Sequence, residues 1–514
     1  MSNRHSASLF IQYWLMVDSW SLTSPDHNER FTSSYFPRLP GARYTVAAIW
    51  GEEEEMVFTS TPNNNGEEAL SPTATEDTAN PDNQWTTREQ FLQRLGISGD
   101  PFIYQVAEQE LSYAQEAIAS RKRSRPEATK STALAFFVPP VNRNEPERSL
   151  IETLRRAGRT GFVFGELGSG KTSLRLALEA ECRQITDDTL VVTCVMPAGT
   201  EKENGNRINW TNLARNLAVD AFIQAVEQFN PNESSSDDKP IASLLGTFLA
   251  LGGPNLRRVA NKILQLPSTE PATGLGAAIY WTEVNRFPMR HVYASSALKD
   301  LIKHALQISK SIPTALTGAE KWSKGIAAAE TWGFTRILLL FDGVDNASNS
   351  IPEMVSLLQP LLQQTTVWRT RNIEARYFLP AALQPAVQEL MRNLPGITEN
   401  DWFEVDLVWT DDALRELIKA RFRALGSRRV GFADLGSPDL GDSLDTLLLR
   451  QAAGSPRHLL QLISRLINHM IMASSEQVTP PLWSKMLQEE ASESQIPSGR
   501  PINNIEYPFS VLIA

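Results

Sequence analysis

Cysteine is scarce in this chain of 514 residues, which has two, Cys182 and Cys194. Two cysteines cannot form the disulfide framework of a small secreted domain, and they exclude a zinc site built from several cysteines. Long hydrophobic runs are missing as well, because no apolar stretch reaches the roughly 20 residues that a membrane-spanning helix needs. The best candidate, LFIQYWLMV at residues 9–17, has no clear small-residue cleavage site after it. We therefore expect a cytoplasmic protein with no membrane partner.

An excess of positive charge is also absent, since 49 Lys and Arg residues stand against 59 Asp and Glu residues, for a formal net charge of −10. A chain of this charge is a poor candidate for coating nucleic acid through its overall field. One local exception is the basic run RKRSR at residues 121–125. It indicates either a contact with nucleic acid or an acidic partner, or a solvated helix end whose cations complement the helix dipole. The second interpretation is favoured because short basic clusters are common.

Lys and Arg are absent from residues 44–87, a stretch rich in Glu, Asp, Asn, Ser, Thr and Pro. Such a composition buries too little apolar surface to offset the entropy that an ordered chain loses. We therefore predict that residues 1–87 form an acidic, disordered or loosely attached extension. Within it, GEEEE at residues 51–55 precedes Met56, as a translated ribosome-binding site would. Either natural translation starts at Met56, or this segment is an ordinary acidic linker.

From residue 88 onward the hydrophobic pattern becomes regular. Apolar runs predict strands at 160–164, 189–196, 336–341, 375–379 and 402–408. Helical periodicity predicts helices at 88–95, 105–120, 145–156, 171–182, 209–229, 351–363, 384–393 and 458–470. This alternation predicts an α/β fold whose mainly parallel sheet is covered by helices on both faces.

The same pattern suggests how the chain is divided. A helical linker at 88–135 is expected to precede an α/β core at 136–409. Within the core, residues 230–330 are mostly helical in pattern and look like an insertion. A helical domain at 410–495 and an extended tail at 496–514 complete the organisation.

The strongest motif is GELGSGKT at residues 165–172, which matches the phosphate-binding pattern G-x-x-x-x-G-K-[ST] at every fixed position. A predicted strand enters it and a predicted helix leaves it. The glycines let successive backbone N–H groups point at phosphate oxygens, and the helix presents its positive end to the same anion. Lys171 would bridge the β and γ phosphates, and Thr172 would place its hydroxyl on Mg²⁺. The predicted nucleotide-binding residues are Gly165, Glu166, Leu167, Gly168, Ser169, Gly170, Lys171, Thr172 and Ser173. The alternative is an ordinary glycine-rich turn with a chance lysine.

A second motif, ILLLFDGVDN at residues 337–346, has the continuous apolar run of a central parallel strand. An acid at the carboxyl end of such a strand lies at the edge where α/β sheets bind ligands. Asp342 is therefore expected to anchor Mg²⁺ opposite Thr172. Asp345, three residues later, is the candidate to orient or activate the attacking water.

Together, GELGSGKT and LLLFDGVDN resemble a signal-transducing P-loop ATPase of the STAND type, within the additional-strand group that includes AAA+ proteins. The resemblance covers about residues 136–470 and implies a P-loop NTPase core, a C-terminal helical lid, and ATP with Mg²⁺ as cofactors. This chain departs from the pattern at Asn346, where the family has Glu or Asp. An amide cannot act as a base, so the resemblance implies slow hydrolysis with Lys171, Asp342 and Asp345 as the catalytic residues.

A third match, GSPR at residues 454–457, is similar to the Gly-x-Pro-Arg turn in the lid of these proteins. The resemblance implies that Pro456 packs near the base and that Arg457 reaches the phosphates. A plain structural explanation also exists, with Ser as helix cap and Pro at the first helical position. Residues 138–145 stand where the base-binding segment belongs, and 374–380 where the sensor strand belongs, although no sensor residue is assigned. The candidate trans-acting arginines are Arg371, Arg421 and Arg423, each of which also reads as a surface residue.

Two functions follow as hypotheses. The first is an ATP-dependent switch in bacterial signalling or defence, with the effector on another chain and with assembly of copies controlled by nucleotide. The second is a DNA-associated AAA+ ATPase, similar to origin-recognition or transposition proteins, in which residues 479–492 complete a winged helix. The acidic balance argues against the second, and weak, ATP-independent, salt-sensitive DNA binding would support it. GTPases fit worse because no Asn-Lys-x-Asp base reader is found, and transport ATPases because the Ser-Gly-Gly signature is missing.

Overall fold

The computed structural model describes residues 88–97, 99–102, 136–156, 158–185, 188–196, 208–229, 239–266, 286, 294–313, 315–424 and 431–494. The predicted N-terminal extension at 1–87, the helix at 105–120, the basic run at 121–125 and the tail at 496–514 lie outside these residues. Within the described part of the chain, no helix is both long enough and apolar enough to cross a membrane.

A six-stranded sheet forms the centre of the molecule. Its strands are β1 (Val141–Asn142), β2 (Thr160–Gly165), β3 (Thr189–Val195), β4 (Arg336–Asp342), β5 (Ile373–Pro380) and β6 (Trp402–Val408). Their order across the sheet is β1-β6-β2-β5-β4-β3. All neighbours run parallel except β1, which pairs antiparallel with β6. The predicted α/β fold with a mainly parallel sheet is therefore confirmed.

Helices cover both faces of the sheet. In chain order the helices are α1 (Arg88–Arg94), α2 (Leu150–Arg155), α3 (Lys171–Ile185), α4 (Trp210–Gln228), α5 (Lys239–Gln265), α6 (Ser296–Ser311), α7 (Gly318–Trp332), α8 (Val344–Ala347), α9 (Ile351–Leu362), α10 (Thr365–Arg369), α11 (Gln384–Asn393), α12 (Asp411–Ala424), α13 (Leu444–Ala452), α14 (Pro456–Met472) and α15 (Pro480–Ser494).

The central strands are buried on both faces, as their continuous apolar runs predict. In β4, Leu338 and Leu340 pack with Leu174 and Leu178 of α3 on one face. The alternate side chains of the same strand join a larger core on the opposite face. This alternation follows from the two-residue period of a strand, which sends successive side chains to opposite faces.

The helices α4 to α7 lie between β3 and β4 in the chain, and we call them the helical insertion, which begins at Trp210 and so before the predicted 230–330. Helix α4 packs on β3, α5 and α7 pack on α4, and α6 packs on α5. Their apolar side chains, including Phe222, Phe248 and Leu301, share one core with the sheet residues. Helix α5 is kinked at Gly253, which has a φ of 81° and directly precedes Pro254. Proline has no N–H to donate and fits the first turn of a helix, so the chain restarts as a new helical segment there.

A second apolar core joins α12 to α15, and we call this group with α1 the C-terminal helical cluster. The sequence predicts a helical linker at 88–135, but its described part instead packs into this cluster. Phe91 and Phe102 are fully buried there, with Phe102 in edge contact with Phe422 at a ring-centroid distance of 5.4 Å. Arg88 also forms an ion pair with Asp100 at 2.5 Å. Residues 88–102 are thus part of this core.

Candidate functional site

The parallel strands bring two predicted motifs to one edge of the sheet. Gly165 ends β2 and Asp342 ends β4, and β5 lies between these strands. Because all three strands are parallel, their carboxyl ends meet at the same edge, where open α/β sheets bind ligands. The loop after β2 and the acidic residues after β4 therefore face a common space.

The loop at residues 165–170 is a tight curl that requires glycine. Gly168 and Gly170 have φ angles of 82° and 87°, a region that residues with a Cβ rarely adopt. A Cβ at Gly165 would collide with the Ser169 hydroxyl. Ser169 N–H donates to the Glu166 carbonyl at 3.1 Å, which closes the turn before α3 begins.

Lys171 lies at the first position of α3 and folds back over this loop. Its Nζ donates to the carbonyl oxygens of Gly165 at 2.9 Å and Glu166 at 3.0 Å. Burial lowers the pKa of Lys171, while the charges of Asp345 and Asp342 act in the opposite direction. The ammonium thus sits inside the curl with two carboxylates nearby.

Asp342 is buried, and protein donors engage both of its oxygens. Arg175 Nε donates to Oδ2 at 3.0 Å, and the Gly343 N–H donates to Oδ1 at 2.9 Å. Arg175 lies one turn after Lys171 on α3, and its side chain is 3% exposed. The sequence motif predicts Asp342 at this edge and gives no signal for Arg175.

Asp345 lies in the short helix α8, which begins after Gly343. Gly343 has a φ of 77°, and a Cβ there would lie 2.9 Å from Asn346 Nδ2. Asn346 thus packs back against the turn, whereas Asp345 is half-buried and its charge acts on Lys171. Of the two residues, Asp345 is the one that carries a carboxylate towards the lysine.

Arg457 approaches the loop from the C-terminal helical cluster. A Cβ at Gly168 would lie 2.8 Å from Arg457 Cβ, so the arginine side chain covers that glycine. Arg457 is in the first turn of α14, where Ser455 caps the helix and Pro456 occupies the first position. The plain structural explanation of the GSPR turn is therefore correct, and the same turn also places Arg457 on the loop.

Trp409 contacts the loop, although no sequence motif indicates it. Its Nε1–H donates to the Ser169 carbonyl at 2.8 Å, and its ring lies 3.6 Å from the position of a Cβ on Gly170. Its backbone oxygen lies near Gly454, at the GSPR turn. Trp409 follows β6 directly and precedes α12, so one residue contacts the loop at the junction with the C-terminal helical cluster. A lone tryptophan after a strand gives no sequence signal for that role.

The remaining loop residues fit a bound anion. Ser169 Oγ is buried and has no hydrogen-bond partner among the described residues. Thr172 and Ser173 are half-buried in the first turn of α3, while Glu166 and Leu167 are exposed. In the described part of the chain no three His, Cys, Asp or Glu side chains are grouped to hold a metal. A Mg²⁺ ion bound with a nucleotide does not need such a group, because phosphate oxygens and water supply most of its ligands.

The predicted base-binding segment lies next to this region. Val138 packs against the C-terminal helical cluster, and Val141 pairs with Val408 of β6. Arg143 N–H also donates to the Asp406 carbonyl at 2.9 Å. Residues 138–143 therefore lead from the C-terminal helical cluster into β1, the outer strand of the sheet.

Arginines of the predicted sensor strand, where no sensor residue is assigned, and of the trans-acting set have other contacts. Arg376 is fully buried in β5 opposite Gly161, at the far end of the sheet, where it donates to the Leu154 carbonyl at 2.7 Å. Burial lowers its pKa to about 10. The surface interpretation is wrong for Arg421, which is 2% exposed and donates to the Pro101 carbonyl at 2.6 Å. Its guanidinium also lies 5.3 Å from the centre of the Phe136 ring. A side chain held in this way cannot act on another subunit.

Arg371 and Arg423 are exposed, as the surface interpretation predicts. Arg423 is paired with Glu416 at 2.9 Å.

Comparison with known proteins adds no family to this geometry: no protein-family model matches the chain, and no curated protein matches it either.

Proposed function

We propose that this chain is an ATP-binding and ATP-hydrolysing molecular switch of the STAND/AAA+ type, built on a P-loop NTPase core. One observation carries the proposal. Three segments far apart in the sequence converge on Lys171: its own glycine loop, the acidic turn with Asp342 and Asp345, and Arg457 of the C-terminal helical cluster. The position of β5 between the strands of the two motifs supports the additional-strand assignment.

Phosphate recognition follows from the groups at the loop. Backbone N–H groups of a glycine curl and the start of a helix both favour an anion. Lys171 and Arg457 add two positive charges at the loop. A triphosphate would replace the carbonyl oxygens of Gly165 and Glu166 as acceptors of the Lys171 ammonium.

The oxygen donors at the site suit Mg²⁺. The Thr172 hydroxyl and the Asp342 carboxylate would hold the ion, which prefers oxygen ligands. The unpartnered Ser169 hydroxyl and the glycine cradle leave the loop suited to phosphate oxygens. When bound, the ion would neutralise charge on the phosphates.

Hydrolysis needs a group that takes a proton from water. Asp345 is a half-buried carboxylate whose charge acts on Lys171, whereas Asn346 carries an amide that cannot accept that proton as a base. We therefore expect turnover to be slow, as suits a switch more than a motor.

The contacts of Arg457 and Trp409 give the switch its moving part. Both residues join the loop to the C-terminal helical cluster. Binding or hydrolysis of the triphosphate would therefore change contacts between the α/β core and that cluster. Partner recognition would fall to the helical insertion or to the chain ends, with the effector on a separate protein in the bacterial cytoplasm. Assembly of copies controlled by nucleotide belongs to the same proposal.

The DNA-associated alternative gains no specific support. Its basic run at 121–125 lies outside the described residues. Residues 480–494 form the single helix α15, and the described residues of 411–494 contribute a parallel bridge between Gly436 and Val478 but no β-hairpin wing.

The proposal is tested by measuring ATP binding and turnover for the wild type, Lys171→Ala and Asp345→Ala, with the exposed Lys310→Ala as the matched control. We expect Lys171→Ala to lose ATP affinity and Asp345→Ala to bind ATP but lose turnover. The mass of the protein is measured with and without ATP in parallel. Unchanged ATP affinity in Lys171→Ala would overturn the proposal, and full turnover in Asp345→Ala would move the base to another residue.

A further inference from the structure

A row of buried charges runs from Asp342 into the helical insertion. Its members alternate in sign, and we call them the buried charge ladder: Asp342, Arg175, Glu179, Arg183 and Glu227. The first three steps measure 3.0 Å, 3.4 Å and 3.0 Å, and the last step joins Arg183 to Glu227. Each of these side chains is at most 6% exposed.

The ladder holds Arg175 in place. Arg175, Glu179 and Arg183 are four residues apart, so they share one face of α3. Thr193 Oγ1 of β3 also donates to Glu179 Oε2 at 3.2 Å. Because an unpaired buried charge is costly, each member keeps its neighbours in position. The pairing with Glu179 thus keeps the Arg175 guanidinium on Asp342.

This arrangement bears directly on Mg²⁺ binding. Asp342 Oδ2 accepts from Arg175, and Oδ1 accepts from the Gly343 N–H. An arginine stays charged at any ordinary pH, so it opposes a second cation at the same carboxylate. A charge-assisted hydrogen bond of this kind is also stronger than a neutral one.

We propose that Arg175 is a positioning residue that competes with Mg²⁺ for Asp342, so that this protein binds ATP with little help from the metal. The inference rests on the proposed function and adds a regulatory property to it. ATP held by the loop, Lys171 and Arg457 would stay bound whether or not the metal has entered. Hydrolysis would wait until Mg²⁺ displaces Arg175 from the carboxylate.

The test compares ATP affinity, measured by titration calorimetry, in EDTA and in saturating Mg²⁺. Arg175→Gln with Glu179→Gln removes the competing cation and its partner together, which leaves the Arg183–Glu227 pair intact. Arg183→Gln with Glu227→Gln is the matched control: it removes the pair at the far end, while Thr193 and Arg175 still hold Glu179, so Arg175 stays on Asp342. Thermal melting of each protein verifies that it is folded.

We expect the wild type and the far-end control to bind ATP with nearly equal affinity in the two buffers. In Arg175→Gln/Glu179→Gln, Mg²⁺ should strengthen ATP binding by about tenfold, the size expected when one charge-assisted hydrogen bond stops competing. An unchanged effect of Mg²⁺ in that variant would overturn the inference.

If that variant does not fold, the wild type decides alone, because a gain of about tenfold on adding Mg²⁺ would contradict ATP binding with little help from the metal. Failure of the proposed function looks different. In that case the wild type would bind no ATP in either buffer.

Discussion

The burial of Lys171 leads to a prediction of how the candidate site responds to pH. Burial holds its pKa below the usual value of 10.5, so the ammonium loses its proton at a lower pH than an exposed lysine does. The neutral amine no longer attracts phosphate. We therefore predict that ATP affinity falls as pH rises through this lowered pKa.

The measurement is a calorimetric titration of ATP across the alkaline range, with Lys171→Arg as the control. Arginine stays charged there, so the variant should bind less well but show a flatter dependence on pH. The free energy of unfolding should change in the opposite sense. Between the lowered pKa and 10.5 the folded protein binds fewer protons than the unfolded chain, so the contribution of Lys171 makes stability rise with pH. Equal pH profiles for the two proteins would contradict the prediction.

At the scale of single residues, the sequence predicts the positions of residues that belong to a local motif. The loop at 165–172 and Asp342 at a strand end belong to this class, because spacing and strand direction alone place them. Arg175 and Trp409 do not, since their partners are distant in the sequence and no periodicity reveals them. Arg421 illustrates the opposite error: charge alone suggests the surface, whereas a carbonyl and an aromatic ring make burial tolerable.

Strand β3 is the outermost strand on its side of the sheet. Its open edge is covered in a way that its own sequence pattern does not indicate. Side chains of α4, together with Arg286, bond to backbone groups on this open edge in place of another strand. Gln224 accepts from Val191 N–H at 3.2 Å and donates to the Val191 carbonyl at 2.8 Å. Asp220 accepts from Thr193 N–H at 2.8 Å, and Arg286 donates to the Thr193 carbonyl at 2.8 Å. The insertion thus covers an edge that would otherwise be free to pair with another chain.

We predict that Gln224→Leu lowers the free energy of unfolding by about 1–3 kcal/mol, because both backbone groups of Val191 lose their buried partner. Chemical denaturation measures the loss, and light scattering measures the accompanying tendency to aggregate. Gln363→Leu, at an exposed helix end, is the control and should change stability little. Equal stability of the two variants would show that the edge does not depend on Gln224.

The strands themselves are predicted to within about two residues, the usual precision of such boundaries. Their signal is strong because each buried parallel strand is a continuous apolar run. In contrast, β1 has two residues and α10 has five, too few for any period to appear. The helix predicted at 145–156 begins only at 150, after the Ser149 cap. Capping chemistry, which a hydrophobic pattern does not include, sets that boundary.

On the scale of the whole molecule, the first and the last described segments belong to the same apolar core, that of the C-terminal helical cluster. Residues 88–102 pack with α12 to α15, and the α/β sheet is formed by residues between them. Phe102 lies within 5.4 Å of both Phe422 and Phe432, measured between ring centres. The C-terminal helical cluster therefore depends on residues that come before the core in the sequence.

We predict that Phe102→Ala lowers stability by about 3–5 kcal/mol, the usual cost of emptying a buried aromatic site. Amide exchange should accelerate in α13 and α14 more than in the strands. Phe222→Ala, equally buried but in the insertion, is the matched control and should loosen β3 and α4 instead. An identical exchange map for the two variants would contradict the separate cores.

The contact between Trp409 and the loop also gives the protein an internal optical reporter. The indole ring donates to a loop carbonyl and lies at the junction of the two bodies, so its emission depends on how the loop and that junction are arranged. The chain has 12 tryptophans, and subtracting the spectrum of Trp409→Phe isolates this one. Stopped-flow fluorescence of the unlabelled protein would then follow, in real time, each arrival and departure of a ligand at residues 165–172.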